Sequence, residues 1–226
     1  MSDTAAFDET IRLGIYLALA ETGATPSLTD LADAVGAEAT EVKGAIRRLA
    51  DQRHLVLNDA GAIVMAHPFA TINLGFSVMG ADTLWWGGCA WDSFAIPHLV
   101  AQEPSVLVAT TCPGCGRPLA WTVTSEAPPE GDEIAHFLIP MADAWNDVVR
   151  TCANQRLFCG EQCLDVWLGR TGNTRGYVMD LETLWTFASH WYDGRLDSPY
   201  IRREPSEAKD YFHRSGLSGS FWGMGD

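Results

Sequence analysis

The sequence predicts an α+β protein: a winged-helix-like segment and linker over residues 1–80, then a mixed strand-and-helix domain over 81–226 with a treble-clef-like zinc knuckle. Three observations predict it. Helix-period segments precede a turn-linked pair of short apolar runs. Strand and helix patterns mix after Trp85. Two closely spaced cysteine pairs bracket part of that mixture.

Taken in order, residues 7–22 space Phe7, Ile11, Ile15 and Leu19 four apart, one face of a helix. "PSLTDLADAVG" opens with Ser27 and Asp30 at capping-box spacing and stops at Gly36. A third helix carries Val42, Ile46 and Leu49. "HLVLNDAGAIVMAHP" reads as two short strands around an Asn-Asp-Ala-Gly turn, which completes the order of a winged helix. Pro68 to Gly80 reads as the linker. Beyond it, "SVLVATT" and "LAWTVTS" are expected strands flanking "CPGCGRP", and "EIAHFLIP" is another. "MADAWNDVVRTC" is expected as a helix with Ala142, Trp145 and Val149 on one side, followed by helices over "CLDVWLGR" and "DLETLWTFASHWYD". The polar, glycine-containing tail after Asp193 is expected to be loosely held.

Composition narrows the function classes. No apolar run approaches the ~20 residues that cross a bilayer, and "MSDTAAFDET" lacks a basic-then-apolar leader, so a soluble cytoplasmic protein without membrane partners is expected. A formal net charge of −14 disfavours nucleic acid as a partner. The third helix carries Lys43, Arg47 and Arg48, but Glu38 and Glu41 stand at its start. A helical segment that packs on and shields the second half is the favoured reading of the N-terminal region.

Six cysteines in a reducing compartment point to metal or catalytic use rather than disulfides. Cys112 and Cys115 share a tight Gly-rich turn, while Cys159 and Cys163 stand just before a helix and in its first turn. Four thiolates so arranged can converge tetrahedrally on Zn²⁺ at about 2.3 Å each. A structural zinc is therefore expected on Cys112, Cys115, Cys159 and Cys163, and no organic cofactor.

Cys89 and Cys152 remain. Asp92 stands three positions after Cys89 in "WGGCAWDSFAIPHL", among Trp85, Trp86, Trp91 and Phe94. An unpaired buried carboxylate is costly, so an aspartate here needs a reason. Thiolates prefer soft ions, and a nearby carboxylate can take a thiol proton and deliver it elsewhere.

These residues resemble the organomercurial (alkylmercury) lyase family. The likeness rests on "GGCAWDSFAIPHL", on Cys152 at the family's separation of 63 positions from Cys89, and on the upstream "AHPFATINLGF"; it covers roughly residues 8–190. It implies that residues 81–226 form the catalytic domain and that Cys89, Asp92 and Cys152 break carbon–mercury bonds by protonolysis. Two thiolates would bind mercury, and Asp92 would pass a thiol proton to carbon. Hg(II) would stay on the thiolates until a small thiol or a mercury-accepting protein collects it. The aromatic residues could hold the organic group, although each alone suits plain core. The chain departs from the family's pattern at Ala153, where a further cysteine is common, and in its Cys₄ set. A non-catalytic thiolate metal binder, or an enzyme for another carbon–heteroatom bond, is the alternative, with Asp92 arguing against simple capture. His136 and His190 are further possible ligands.

Overall fold

The computed structural model describes residues 3–225. Its first part is three helices, α1 (Asp3–Thr22), α2 (Leu28–Val35) and α3 (Ala39–Asp51). Ile11, Ile15 and Leu19 of α1 are fully buried, as their four-residue spacing requires. The capping box of Ser27 and Asp30 starts α2, and Gly36, left-handed at φ 64°, ends it.

An antiparallel sheet of seven strands follows, in the order β1-β2-β3-β5-β4-β6-β7. The strands are β1 (Val56–Leu57), β2 (Ile63–Ala66), β3 (Phe69–Ala70), β4 (Phe76–Met79), β5 (Leu84–Gly87), β6 (Ser105–Thr111) and β7 (Pro118–Thr124). The expected linker over Pro68–Gly80 is therefore corrected: it holds β3 and β4, and one sheet runs through residue 80. The physical reason is the alternation in Phe76–Met79, where Phe76 and Val78 are buried and Met79 is exposed. Residues 71–75 only turn the chain between two short strands.

A second sheet, β10-β8-β9, joins β8 (Ile134–Phe137), β9 (Gln155–Phe158) and β10 (Tyr177–Asp180). Around the sheets lie α4 (Ala90–Leu99), α5 (Val148–Ala153), α6 (Glu161–Thr171), α7 (Leu181–Ser189) and α8 (Pro205–Arg214). Helix α4 is the hub. It packs on both α7 and strands β4–β7, and every residue from Ala90 to Pro97 is buried.

Two further expectations are corrected. The helix over 141–152 is only α5; residues 141–147 form successive turns, with Asp143 N–H donating to Pro140 C=O and the Asp147 carboxylate capping α5 from its own position. The tail is not loose. Tyr211 and Phe212 of α8, Leu217 and Trp222 are all buried, and Trp222 packs its ring on Phe187, Phe212 and Phe137. Aromatic burial outweighs the polar average of this segment.

The N-terminal helices are tied to the rest by specific bonds. Trp85 Nε1–H donates to Leu19 C=O at 2.8 Å, and buried Arg12 donates to the carbonyls of Arg195 at 2.7 Å and Asp197 at 2.6 Å. Arg48 on α3 is held by Asp8 on α1 through bonds of 2.8 and 2.6 Å. No helix among the described residues is long and apolar enough to cross a membrane.

Candidate active site

Cys89 caps the N-terminus of α4. Its backbone is extended, and its Sγ accepts from the Asp92 N–H at 3.4 Å. The Ser93 hydroxyl donates to the Cys89 carbonyl at 2.6 Å, which locks the turn. Thiol and carboxylate thus share the first turn of one buried helix, three positions apart and on one face. Gly88 allows this close approach: a Cβ there would stand 2.2 Å from Asp92 Oδ2 and 2.7 Å from Met65 Cε.

Cys152 comes from the last turn of α5. It is 5% exposed, and Cys89 and Asp92 are each 1% exposed. An Asp92 carboxylate oxygen, Cys152 Sγ and a ring nitrogen of His67 all lie within 4.8 Å of one another. Cys89 and Cys152 are close enough to perturb each other's ionisation. Burial pushes the Cys89 thiol well above its usual range, and Cys152 and the Asp92 charge push it further. Cys152 gains some relief from Cys89, but burial and the Asp92 charge leave it raised.

Two residues that sequence reasoning missed complete the surroundings of Asp92. His67 Nδ1 lies 3.2 Å from Oδ2, and the Tyr192 hydroxyl donates a short hydrogen bond to Oδ1. Burial, then the Asp92 charge, hold the Tyr192 phenol well above its ordinary range, so it remains a donor. His67 stands at the end of the expected hairpin "HLVLNDAGAIVMAHP" and Tyr192 in "SHWYDGR"; neither has a local signal.

These groups open onto a cavity of about 420 Å³ whose walls include Trp91, Trp145, Trp191, Phe212 and Trp222. Of Trp85, Trp86, Trp91 and Phe94, each read foremost as core and secondarily as a wall for the organic group, only Trp91 lines the cavity. Trp85 and Phe94 are buried core away from the cavity, and Trp86 faces elsewhere. The wall is supplied mainly by the chain after residue 140.

The other four cysteines meet at a second place. Cys112 and Cys115 occupy the turn between β6 and β7, where the Gly116 N–H donates to the Cys112 carbonyl at 2.9 Å. Cys159 directly follows β9, and Cys163 lies in the first turn of α6. All four sulfurs lie within 4.8 Å of one another, with Cys115 and Cys159 at 3.5 Å. A tetrahedron with 2.3 Å metal–sulfur bonds has sulfurs about 3.8 Å apart, so the donor set fits a thiophilic ion. Burial raises the Cys112 thiol, but the backbone N–H groups of Cys159, Cys115 and Gly114 bring it down to about 7. Burial and the neighbouring thiols push Cys159 up to about 12. Gly114 lets the turn close on α6, since a Cβ there would stand 2.1 Å from the Cys163 carbonyl oxygen.

The two histidines considered as ligands belong to neither group. His136 Nε2 accepts from the Gly176 N–H at 2.9 Å, and exposed His190 lies 3.1 Å from Asp193.

The alkylmercury lyase family profile matches residues 69–193, more than half of the chain. The chain is similar in fold to the crystal structure of the mercury-bound form of MerB2, with a TM-score of 0.62 at 16% identity, covering 87% of this chain and 100% of that one. No curated protein matches the sequence.

Proposed function

The chain belongs to the alkylmercury lyase family, and from that premise we propose that Cys89, Asp92 and Cys152 cleave carbon–mercury bonds by protonolysis. The observation that carries the proposal is the convergence of Asp92 and Cys152 within 4.8 Å, beside Cys89, at the buried end of an aromatic cavity.

The raised thiols set the order of events. Neither is a thiolate at neutral pH, so a base must act as mercury arrives. Asp92 takes the proton of one thiol, and that sulfur bonds to mercury. The other sulfur binds as its proton leaves with the ligand displaced from mercury. Two thiolates weaken the Hg–C bond and place negative charge on carbon. Asp92 then donates its proton to that carbon. The products are R–H and Hg(II) held by Cys89 and Cys152. Both thiol protons are thus accounted for, one on the displaced ligand and one on the hydrocarbon. Tyr192 and His67 orient the carboxylate, and the aromatic walls exclude water, which would otherwise compete as proton source and weaken the electrostatics. A small thiol or a mercury-accepting protein then removes Hg(II).

We further propose that Cys112, Cys115, Cys159 and Cys163 hold a structural Zn²⁺ in a treble-clef-like knuckle, supported by four convergent sulfurs and the fit of their spacing. In our reading α1–α3 with the β1–β2 hairpin form a winged-helix-like unit that buttresses the cavity rather than binding DNA. The bonds of Arg12, Tyr16 and Arg48 to the protein itself support that role. The experiment that tests the activity is incubation of the purified protein with phenylmercury and excess 2-mercaptoethanol, with benzene measured by gas chromatography. Catalytic benzene release is expected. Mercury binding without benzene would leave a thiolate metal binder.

A further inference from the structure

The chain carries 15 Lys and Arg against 29 Asp and Glu, yet the cavity inverts that balance. Arg53, Arg195, Arg202, Arg203 and Lys209 line it, and among the described residues Asp92 is the only carboxylate that does. Among the described residues none of these cations forms an ion pair. Arg202 is anchored on the Gln52 carbonyl at 2.8 Å, and Arg203 on the His190 carbonyl at 2.7 Å. Arg53 and Arg202 lie over Trp145, each 5.5 Å from its ring centroid. Arg195 is 6% exposed; its Nη1 donates to the Tyr16 hydroxyl at 3.0 Å, its guanidinium lies 4.6 Å from the Tyr200 ring centroid, and its buried Nε has no hydrogen-bond partner among the described residues. Burial, then Arg195, with a smaller push from Arg53, makes the Arg202 charge costly. Gathering cations without carboxylate partners in this way costs stability, and an anionic occupant of the cavity would neutralise buried Arg195 and half-buried Arg202.

We propose that the cavity takes mercury adducts that carry a carboxylate, with the mercury at the two thiols and the carboxylate on the guanidinium groups of Arg195, Arg202 and Arg53. The inference rests on the lyase reading and adds the substrate class. The carboxylate can belong to the organic group or to the thiol already bound to mercury. Planar guanidinium groups match it in either case, and a neutral alkylmercury leaves them empty.

The test compares kcat/KM for three adducts: phenylmercury with 2-mercaptoethanol, 4-carboxyphenylmercury with 2-mercaptoethanol, and phenylmercury with mercaptosuccinate. A preference of about tenfold or more for one carboxylate adduct over the neutral one is expected, the size of a charge-assisted hydrogen bond. It should weaken in 0.5 M NaCl. Which adduct is preferred identifies the source of the carboxylate. Arg202→Gln and Arg53→Asn should each lower the preference ratio several-fold. Asn suits position 53, whose φ is 62°. Arg53 is exposed and Arg202 only half-buried, so folding is spared even if Arg195→Gln does not fold. Equal kcat/KM for all three adducts overturns the proposal while leaving the lyase reading intact. If no adduct is cleaved, the lyase reading fails, and calorimetric titration with mercaptosuccinate decides the site: saturable binding weakened by Arg202→Gln supports it, and no binding overturns it.

Discussion

Replacing Asp92 with Asn separates mercury capture from bond cleavage. The side chain keeps its shape, so α4 and its packing are unchanged. The Tyr192 hydroxyl can still donate to the amide oxygen, and the amide NH₂ faces His67 Nδ1. Removing a buried charge relieves its desolvation, so the stability change should stay within about 1 kcal/mol. Two effects on chemistry oppose each other. The Asp92 charge raises both Cys89 and Cys152, so Asp92→Asn should lower both titrations, visible as thiolate absorbance appearing at lower pH. Proton delivery is lost, and general acid–base groups supply about 10²–10⁴-fold in rate. In a single turnover with one equivalent of phenylmercury, the variant should retain the mercury after desalting yet release benzene at least ~100-fold more slowly than wild type. Benzene release near the wild-type rate would refute Asp92 as proton donor. An unmoved thiol titration would refute its electrostatic coupling to the cysteines.

Further outcomes follow from the same geometry. Elemental analysis of the purified protein should find about one zinc per chain beyond any mercury, and Cys112→Ser should lose it and lower Tm, because closed thiolate sites contribute folding energy. Gly88→Ala forces a methyl group to 2.2 Å from Asp92 Oδ2; it should destabilise by about 1–3 kcal/mol and depress benzene release, whereas Gly169→Ala on the exposed face of α6, with nothing within 4 Å, should not lower Tm. Acid should destabilise the fold between pH 6.5 and about 4. Burial lowers His54, His98 and His136 from 6.5 to about 4; in that window the unfolded chain binds more protons, so stability falls as pH falls. Urea midpoints at pH 7, 6 and 5 check this, and a flat profile would contradict it.

The sequence was legible where polar and apolar residues alternate with a clear period or where a cap is chemical. Helices α2 and α3 and strands β6 and β7 are amphipathic, because each has one face on the core and one in water, and α1 shows its buried Ile11, Ile15 and Leu19 at four-residue spacing. Helix α4 was illegible for the opposite reason. It is buried on all sides, so it has no polar face to mark a period, and Pro97 reads as a breaker although the helix carries it near its C-terminal end. The turns over 141–147 looked helical because spacing alone cannot show that Asp143 and Asp147 bind local backbone and side-chain donors. Cys89, Asp92 and Cys152, the residues proposed to act, stand out in the sequence by a motif and a separation. His67, Tyr192 and Arg195 do not, because their roles depend on how distant segments fold together.

That wide dispersal along the chain has a consequence for how the protein can be handled. His67 precedes β3, Cys89 and Asp92 open α4, Cys152 ends α5, and Tyr192 follows α7. No contiguous fragment contains the constellation unless it spans nearly the whole of both sheets, so limited proteolysis yields no active piece and the chemistry cannot be grafted onto another scaffold as a short insert. The same non-local wiring makes slow, late assembly of the pocket the expectation during folding. Until that assembly is complete, six thiols stand apart with neither cluster formed, and a soft ion arriving then would cross-link cysteines that the finished fold keeps in separate sites. Refolding in the presence of mercury should therefore trap misfolded chains, and refolding before mercury is added should not.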